Sequence, residues 1–330
     1  MEHRFPWREQ YLARTRLCYV DLGRLLSHAK RDRSARVPGY VQVELGDAVH
    51  LLFLDAGEPV NAATVRPDSR TVVPLGSLMR TLLAESERGE AGYIAYYGVD
   101  PDQLRSMFAT VAETPLEWAA GVSAAGLDRL FGEMHRRAAD GVLEISGNGR
   151  TGYLSISSGL ARRCFLGEGA DADEGPEALR RFIAACDGAL TASLHPPVGA
   201  LPVQAPPGLA ELYAAILAEL TGRLAALLSP RELDELFDGA RSRNGQAEML
   251  SGFRRVDGDV VPGDAVATPE VLTDAIGEWM VDLASATADR TGIDPAELLA
   301  AACLRHRFVL EEVGLLQRFP WPLAWAVQRS

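Results

Sequence analysis

Residues 143–159 read LEISGNGRTGYLSISSG, and within them Gly147–Gly152 spell GNGRTG. Two different structures share the pattern G-x-G-x-x-G. In a dinucleotide-binding loop it sits between a strand and a helix, so that the helix N-terminus meets the pyrophosphate. In a β-hairpin, Asn-Gly forms the turn because both residues tolerate positive φ. Here Leu143 and Ile145 alternate with polar residues before the glycines, and Leu154 and Ile156 do so after them. A strand therefore follows where a nucleotide loop needs a helix, and the spacing predicts a hairpin.

The same pattern stands 102 residues upstream. GYVQVELGDAVHLLFLDAGEPVNAA (39–63) aligns without a gap on GVLEISGNGRTGYLSISSGLARRCF (141–165). Gly39 falls on Gly141, Gly57 on Gly159, Val41 and Val43 on Leu143 and Ile145, and Leu52 and Leu54 on Leu154 and Ile156. Leu45, Asp47 and His50 replace the three glycines of GNGRTG, so those glycines are not a shared phosphate cradle. A glycine turn follows each hairpin, then a third strand near Pro59–Val65 or Leu160–Leu166.

The likeness extends outward. VDLGRLLSHAKR and AGLDRLFGEMHRR precede the hairpins with the i, i+3, i+4 leucine spacing of an amphipathic helix. PLGSLMRTLLAESERGE and GPEALRRFIAACDG follow as helices, and GYIAYYGV and GALTASLH close the units as strands. The sequence thus predicts an α+β protein. Two tandem antiparallel-sheet-plus-helix modules, 17–112 and 113–196, follow an N-terminal arm, 1–16. A proline-rich linker, 197–208, leads to a small all-α bundle, 209–330. In that bundle Ser229-Pro230-Arg231-Glu232 and Asp294-Pro295-Ala296-Glu297 mark helix starts, Thr268-Pro269 opens a third helix, and Gly314 is a C-cap. Residues 240–266, glycine-rich and polar, read as a long loop.

Composition narrows the function. The chain has 330 residues, is 47% apolar and 24% charged, and carries a net charge of −12. So acidic a surface repels nucleic acid. The basic run over residues 1–40 suits contact with an acidic partner or a membrane surface, with a solvated helix face as the favoured alternative. No apolar run approaches the roughly 18 residues of a membrane span, and the N-terminus lacks the apolar core of an export signal. Cys18, Cys164, Cys186 and Cys303 are scattered, which suits reduced thiols in a cytoplasm. Lys30 is the sole lysine, no glycine precedes it as a phosphate loop requires, and it lies in the charged stretch HAKRDR.

Candidate sites are few. Cys303 and His306 share a helix face but lack a second ligand pair. Asp171 and Asp173 begin like a calcium loop, yet Phe182 stands where its last glutamate belongs. Glu144-Ile145-Ser146-Gly147-Asn148-Gly149 is similar to the strand turn of PilZ-type cyclic-dinucleotide receptors, with glutamate at its first place and no R-x-x-x-R before it. No cofactor and no catalytic residue is expected. RFPW occurs twice, at Arg4–Trp7 and Arg318–Trp321. Phe5, Trp7, Phe319, Trp321 and Trp325 are interaction candidates, with packing of the termini onto the body as the competing reading. Arg162 and Arg163 join them.

The repeating unit G-x-L-x-[IV], turn, L-x-[FI]-x-x-G-x-[ALIVP], helix, G-x-[LIY] resembles the PATAN type of bacterial signalling domain over about 180 residues. Gly57-Glu58-Pro59-Val60-Asn61-Ala62 carries the resemblance best; Arg162 and Arg163 depart from the small or polar residues usual there. The resemblance implies a non-enzymatic regulatory scaffold that contacts another protein, such as a signalling or motility component. The small size of each module suggests that the two pack together or form a homodimer. The alternatives are a sensor of a small ligand, such as a nucleotide or cyclic dinucleotide, and an enzyme whose residues converge only in space.

Overall fold

The computed structural model describes residues 4–31, 38–88, 92–169, 176–186 and 190–325. They form two compact units, 1–73 with 78–202, and 74–77 with 203–330.

The first unit contains the duplication. Its first copy runs β1 (Glu9–Arg16), α1 (Leu22–Arg31), β2 (Gly39–Leu45), β3 (Ala48–Asp55), β4 (Glu58–Arg66), β5 (Ser69–Val72), α2 (Leu75–Arg88) and β6 (Gly92–Gly98). A connecting helix, α3 (Pro101–Ala112), leads to the second copy: β7 (Glu117–Val122), α4 (Ala124–Arg136), β8 (Gly141–Gly147), β9 (Arg150–Ser157), β10 (Leu160–Phe165), α5 (Pro176–Ala185) and β11 (Leu190–His195). Both sheets are antiparallel, with orders β1-β6-β2-β3-β4-β5 and β7-β11-β8-β9-β10. Apart from the extra edge strand β5, the two orders are the same.

The hairpin expected at GNGRTG is present. Gly147 pairs with Arg150, and Asn148 and Gly149 take φ of 49° and 73° at the turn. Tyr153 lies within β9. The glycines that align at offset 102 have a common cause. Gly57 and Gly159 have φ of 81° and 74°. A Cβ on Gly57 would collide with the carbonyl oxygen of Ala29 in α1, and one on Gly159 with that of Met134 in α4. Each glycine lets a strand turn pass under the end of the preceding helix.

Three elements depart from the expected layout. Residues 9–16 are not a free arm but the edge strand β1, paired with β6. Its second-copy counterpart β7 also escapes the alternation test. Along β1, Glu9, Gln10, Ala13, Arg14 and Arg16 are exposed, and the pairing is broken by bulges, so no clean period of two survives. The 197–208 linker is fixed to the first unit over its first half. Val198 and Leu201 pack on the sheet core, and the carbonyl of Pro202 accepts from Asn61 Nδ2 at 2.9 Å.

The second unit is helical, with α6 (Pro207–Leu224), α7 (Pro230–Arg243), α8 (Ala247–Leu250), α9 (Pro269–Thr291), α10 (Pro295–Cys303) and α11 (Arg307–Glu312). Leu217, Leu220, Phe237, Ile276, Trp279 and Leu299 are among its buried core residues. Ser229 and Glu232 form the expected capping box, Thr268 and Asp294 cap α9 and α10, and Gly314 is left-handed. The 240–266 stretch is not one loop: it holds the end of α7, all of α8, and a hairpin of β12 (Arg254–Val256) and β13 (Asp259–Val261). Asp257 and Gly258 supply its turn at positive φ, and Val260 is its buried anchor.

Candidate functional site

Alternation along the strands gives each sheet of the first unit two buried faces. In the second copy Leu143, Ile145, Leu154 and Ile156 face Leu127 and Met134 of α4 and Phe182 of α5. In the first copy α1 packs against β4. The opposite faces of both sheets enclose α3. Its Leu104, Met107 and Phe108 join Tyr40, Leu51 and Phe53 of the first sheet and Val142, Tyr153 and Phe165 of the second in one cluster. The expected packing of the modules on each other is therefore built around a shared helix.

Two further contacts seal this middle layer. One is the first RFPW. Arg4 pairs with Arg150, and Trp7 with Glu168, as short parallel bridges onto the second copy. Phe5 is 4% exposed and meets Tyr40 edge-on, with ring centroids 6.2 Å apart. Trp7 stacks on Tyr97 at 5.5 Å. The carbonyl of Pro6 accepts from the Tyr40 hydroxyl at 3.3 Å and from Gln103 Nε2. Phe5 and Trp7 thus strap the layer shut. The other contact is ionic: Arg163 of β10 reaches Asp100 and Asp102 at the start of α3, both at 2.8 Å. Burial disfavours the Asp100 anion, but Arg163, the Asp102 N–H and Arg8 outweigh it and hold this carboxyl below its ordinary range. Arg162, one residue away, is exposed.

The remaining candidates lie in the second unit and also pack inward. Phe319 and Leu323 are buried, Trp321 is half-buried against the core, and Trp325 Nε1 donates to the carbonyl of Ala300 at 2.9 Å. Arg318 pairs with Asp274 at 2.6 Å. Cys303 is fully buried, and burial pushes its thiol up to about 12. Among the described residues no group of three or more His, Cys, Asp or Glu could hold a metal ion. Asp171 and Asp173 lie outside the described residues.

Where α3 ends, the middle layer opens into a cleft of about 540 Å³. Its walls are the β4–β5 turn around Arg66–Arg70, the segment Thr110–Pro115, and the polar face of β8 and β11. On that face Thr191 pairs with Ser146, and Ser193 with Glu144. Glu144 is 3% exposed and is engaged by both terminal nitrogens of Arg70. Burial works against the Arg70 cation, but the Glu144 bonds and charge more than offset it and raise its pKa. This reciprocity is what makes a buried carboxylate tolerable.

His195, 3% exposed, ends the strand. Its Nδ1 lies 3.0 Å from the Glu113 carbonyl oxygen, and its Nε2 3.0 Å from Ser193 Oγ. A carbonyl can only accept, so in the neutral ring Nδ1 carries the proton and Nε2 accepts from the Ser193 hydroxyl. The Ser193 lone pairs remain to accept from a ligand. This is also the geometry in which a histidine relieves a serine of its proton. The hydroxyls of Ser146 and Thr191 make no hydrogen bond among the described residues.

Sequence reasoning singled out Glu144 and Ser146 only as a weak receptor-like turn, and it missed Arg70, Thr191, Ser193 and His195. Arg136 and Arg137, the nearest arginines before that turn, end α4 on the other side of the sheet. The signal in TASLH was present: polar residues fill every second place where the opposite face is apolar. That placed a strand but not what faced it.

Comparison with protein families, with curated proteins and with solved structures found no match to this chain. No helix among the described residues is long and apolar enough to cross a membrane.

Proposed function

We propose that this chain is a non-enzymatic regulatory scaffold of the bacterial cytoplasm, of PATAN-like type, that works by contact with another protein. The observation that supports it is how the duplication is used. Two copies of one module turn their sheet faces inward onto α3. The opposite faces carry α1 and α4, each of which has an exposed side. One surface is thereby displayed twice on one body, the arrangement expected of a bivalent adaptor. Affinity purification of the tagged full chain from its native cell, after cross-linking, tests it. The expected result is one dominant partner or a homodimer; recovery of the chain alone overturns it.

A second reading, a sensor of a small ligand, is favoured by the cleft over Ser146, Thr191, Ser193 and His195, a concave site with convergent polar groups. A thermal shift against a panel of small molecules, including nucleotides and cyclic dinucleotides, checks it: a bound ligand raises the melting temperature with concentration. Covalent labelling of Ser193 by a fluorophosphonate would instead move the reading to an enzyme.

A further inference from the structure

The cleft has a counterpart in the first copy. The pairing registers make Tyr93, Ala95 and Tyr97 of β6 equivalent to Thr191, Ser193 and His195 of β11, and Tyr40, Gln42 and Glu44 of β2 equivalent to Val142, Glu144 and Ser146 of β8. The first-copy surface is covered. Trp7 stacks on Tyr97, Phe5 meets Tyr40, and Arg14 lies 3.5 Å over the Tyr93 ring while pairing with Glu44 at 2.7 Å. Only about 250 Å³ is left there, lined by Gln42, Glu44, Tyr97 and the strap. At the second-copy surface two of the three β11 side chains are small and hydroxylated where β6 carries tyrosine or alanine, and the space is about 540 Å³. One position in a repeated fold is plugged with aromatic rings in one copy and left roomy and hydroxyl-lined in the other.

The chemistry of the roomy copy selects its occupant. The floor offers three hydroxyls and the Arg70–Glu144 pair, whose charges cancel. At the rim Arg66 stands with Asp68 and Glu113, so the whole lining carries no excess of positive charge. On the floor a phosphate would have to take Arg70 from Glu144 and leave a carboxylate buried without a partner, a strongly unfavourable exchange, while Arg66 at the rim is exposed to water. The lining has no Phe, Tyr or Trp, and its one aromatic ring, His195, is 3% exposed and held by Glu113 and Ser193, so a nucleobase has no open stacking platform there. Ser146 and Thr191, free to donate and accept, and Ser193, whose lone pairs accept, match a ligand that also carries hydroxyls. We propose that this cleft binds an uncharged, hydroxyl-rich small molecule, a sugar or polyol. The proposal rests on the sensing reading and narrows it.

Saturation-transfer NMR on the full chain, sensitive to millimolar affinities, tests it with D-glucose, D-ribose and myo-inositol against adenosine, AMP, a cyclic dinucleotide and methyl phosphate. The expected result is transfer to at least one of the three hydroxylated probes and none to the phosphate-bearing ones. Thr191→Tyr, which gives the second copy the residue of the first, is expected to abolish that transfer while the variant melts as the wild type does. If Thr191→Tyr misfolds, Ser193→Ala serves, with at least a fivefold weaker transfer expected. Transfer to adenosine, AMP, the cyclic dinucleotide or methyl phosphate but to none of the three sugars and polyols, removed by Thr191→Tyr, would overturn the sugar assignment and leave the sensing reading standing. Silence from every probe would overturn both. A sugar signal that survives both variants would place the ligand elsewhere and end the proposal.

Discussion

Single residues hold this structure where backbone or charge has no alternative. Gly57 and Gly159 combine a left-handed conformation with a helix carbonyl in the space of a missing Cβ. Gly57→Ala or Gly159→Ala is therefore expected to cost more than the ~1–2 kcal/mol of the conformation alone. Urea denaturation measures it, and a loss under ~0.5 kcal/mol would be inconsistent with the collision. Arg70 and Glu144 behave as a unit. Arg70→Met, which strands a buried carboxylate, is expected to lose about 3 kcal/mol, and the double variant Arg70→Met/Glu144→Leu less than that. Equal losses in the two proteins would mean that Glu144 reaches water. Thiol accessibility gives a third check. Cys186 and Cys303 are buried, and burial raises both thiols. Under native conditions a disulfide reagent should label Cys18 and Cys164 first and the other two only on unfolding.

At the scale of elements, strand pairing and helix capping follow from local rules, while the joints between elements follow from contacts far apart in sequence. The strap illustrates the difference. Phe5 is buried against Tyr40, so Phe5→Ala is expected to cost about 3 kcal/mol of stability in the isolated chain. Were Phe5 an exposed anchor for a partner, stability would not change and only capture of that partner would suffer. The α+β class, both hairpins, the flanking helices and the capped starts of α7, α9 and α10 were legible because alternation, i, i+4 spacing and Ser/Thr/Asp–Pro pairs act over a few residues. The strand β1 was not, since bulges and solvent exposure erase its period. Nor was β12–β13: Asp257-Gly258 announces the turn, but three-residue strands are too short to show a pattern. The cleft was the least legible. Ser193 and His195 come from β11 and Arg70 from β5, and only α3 and the second sheet bring them together.

For the first unit as a whole, the seam between the copies carries its own pH dependence. Asp100 titrates below its ordinary range in the folded chain because Arg163 and the Asp102 N–H favour its anion. The folded state thus holds its proton less tightly than the unfolded chain does. Its stabilising contribution is complete above the ordinary carboxylate pKa, about 4, and fades as the pH falls through that value toward the lowered one. Asp100→Asn keeps the helix cap and removes the charge. Its stability is expected to be lower than wild type at neutral pH and to fall less steeply on acidification, as read from urea midpoints across the acid range. Parallel curves for the two proteins would remove Asp100 from the account.

The strap also sets an order of events in biosynthesis. Arg4–Trp7 leaves the ribosome before either copy, yet its bridging partners, Gly149 to Thr151 and Gly167 to Gly169, emerge about 145 to 162 residues later. Until then Tyr40 and Tyr97 lack their cover, and the nascent first copy must hold an aromatic surface open to the cell. Completion of the N-terminal half is therefore deferred to the synthesis of the other half, and an elongating chain stalled between the copies is the form of this protein most exposed to chaperones and to aggregation.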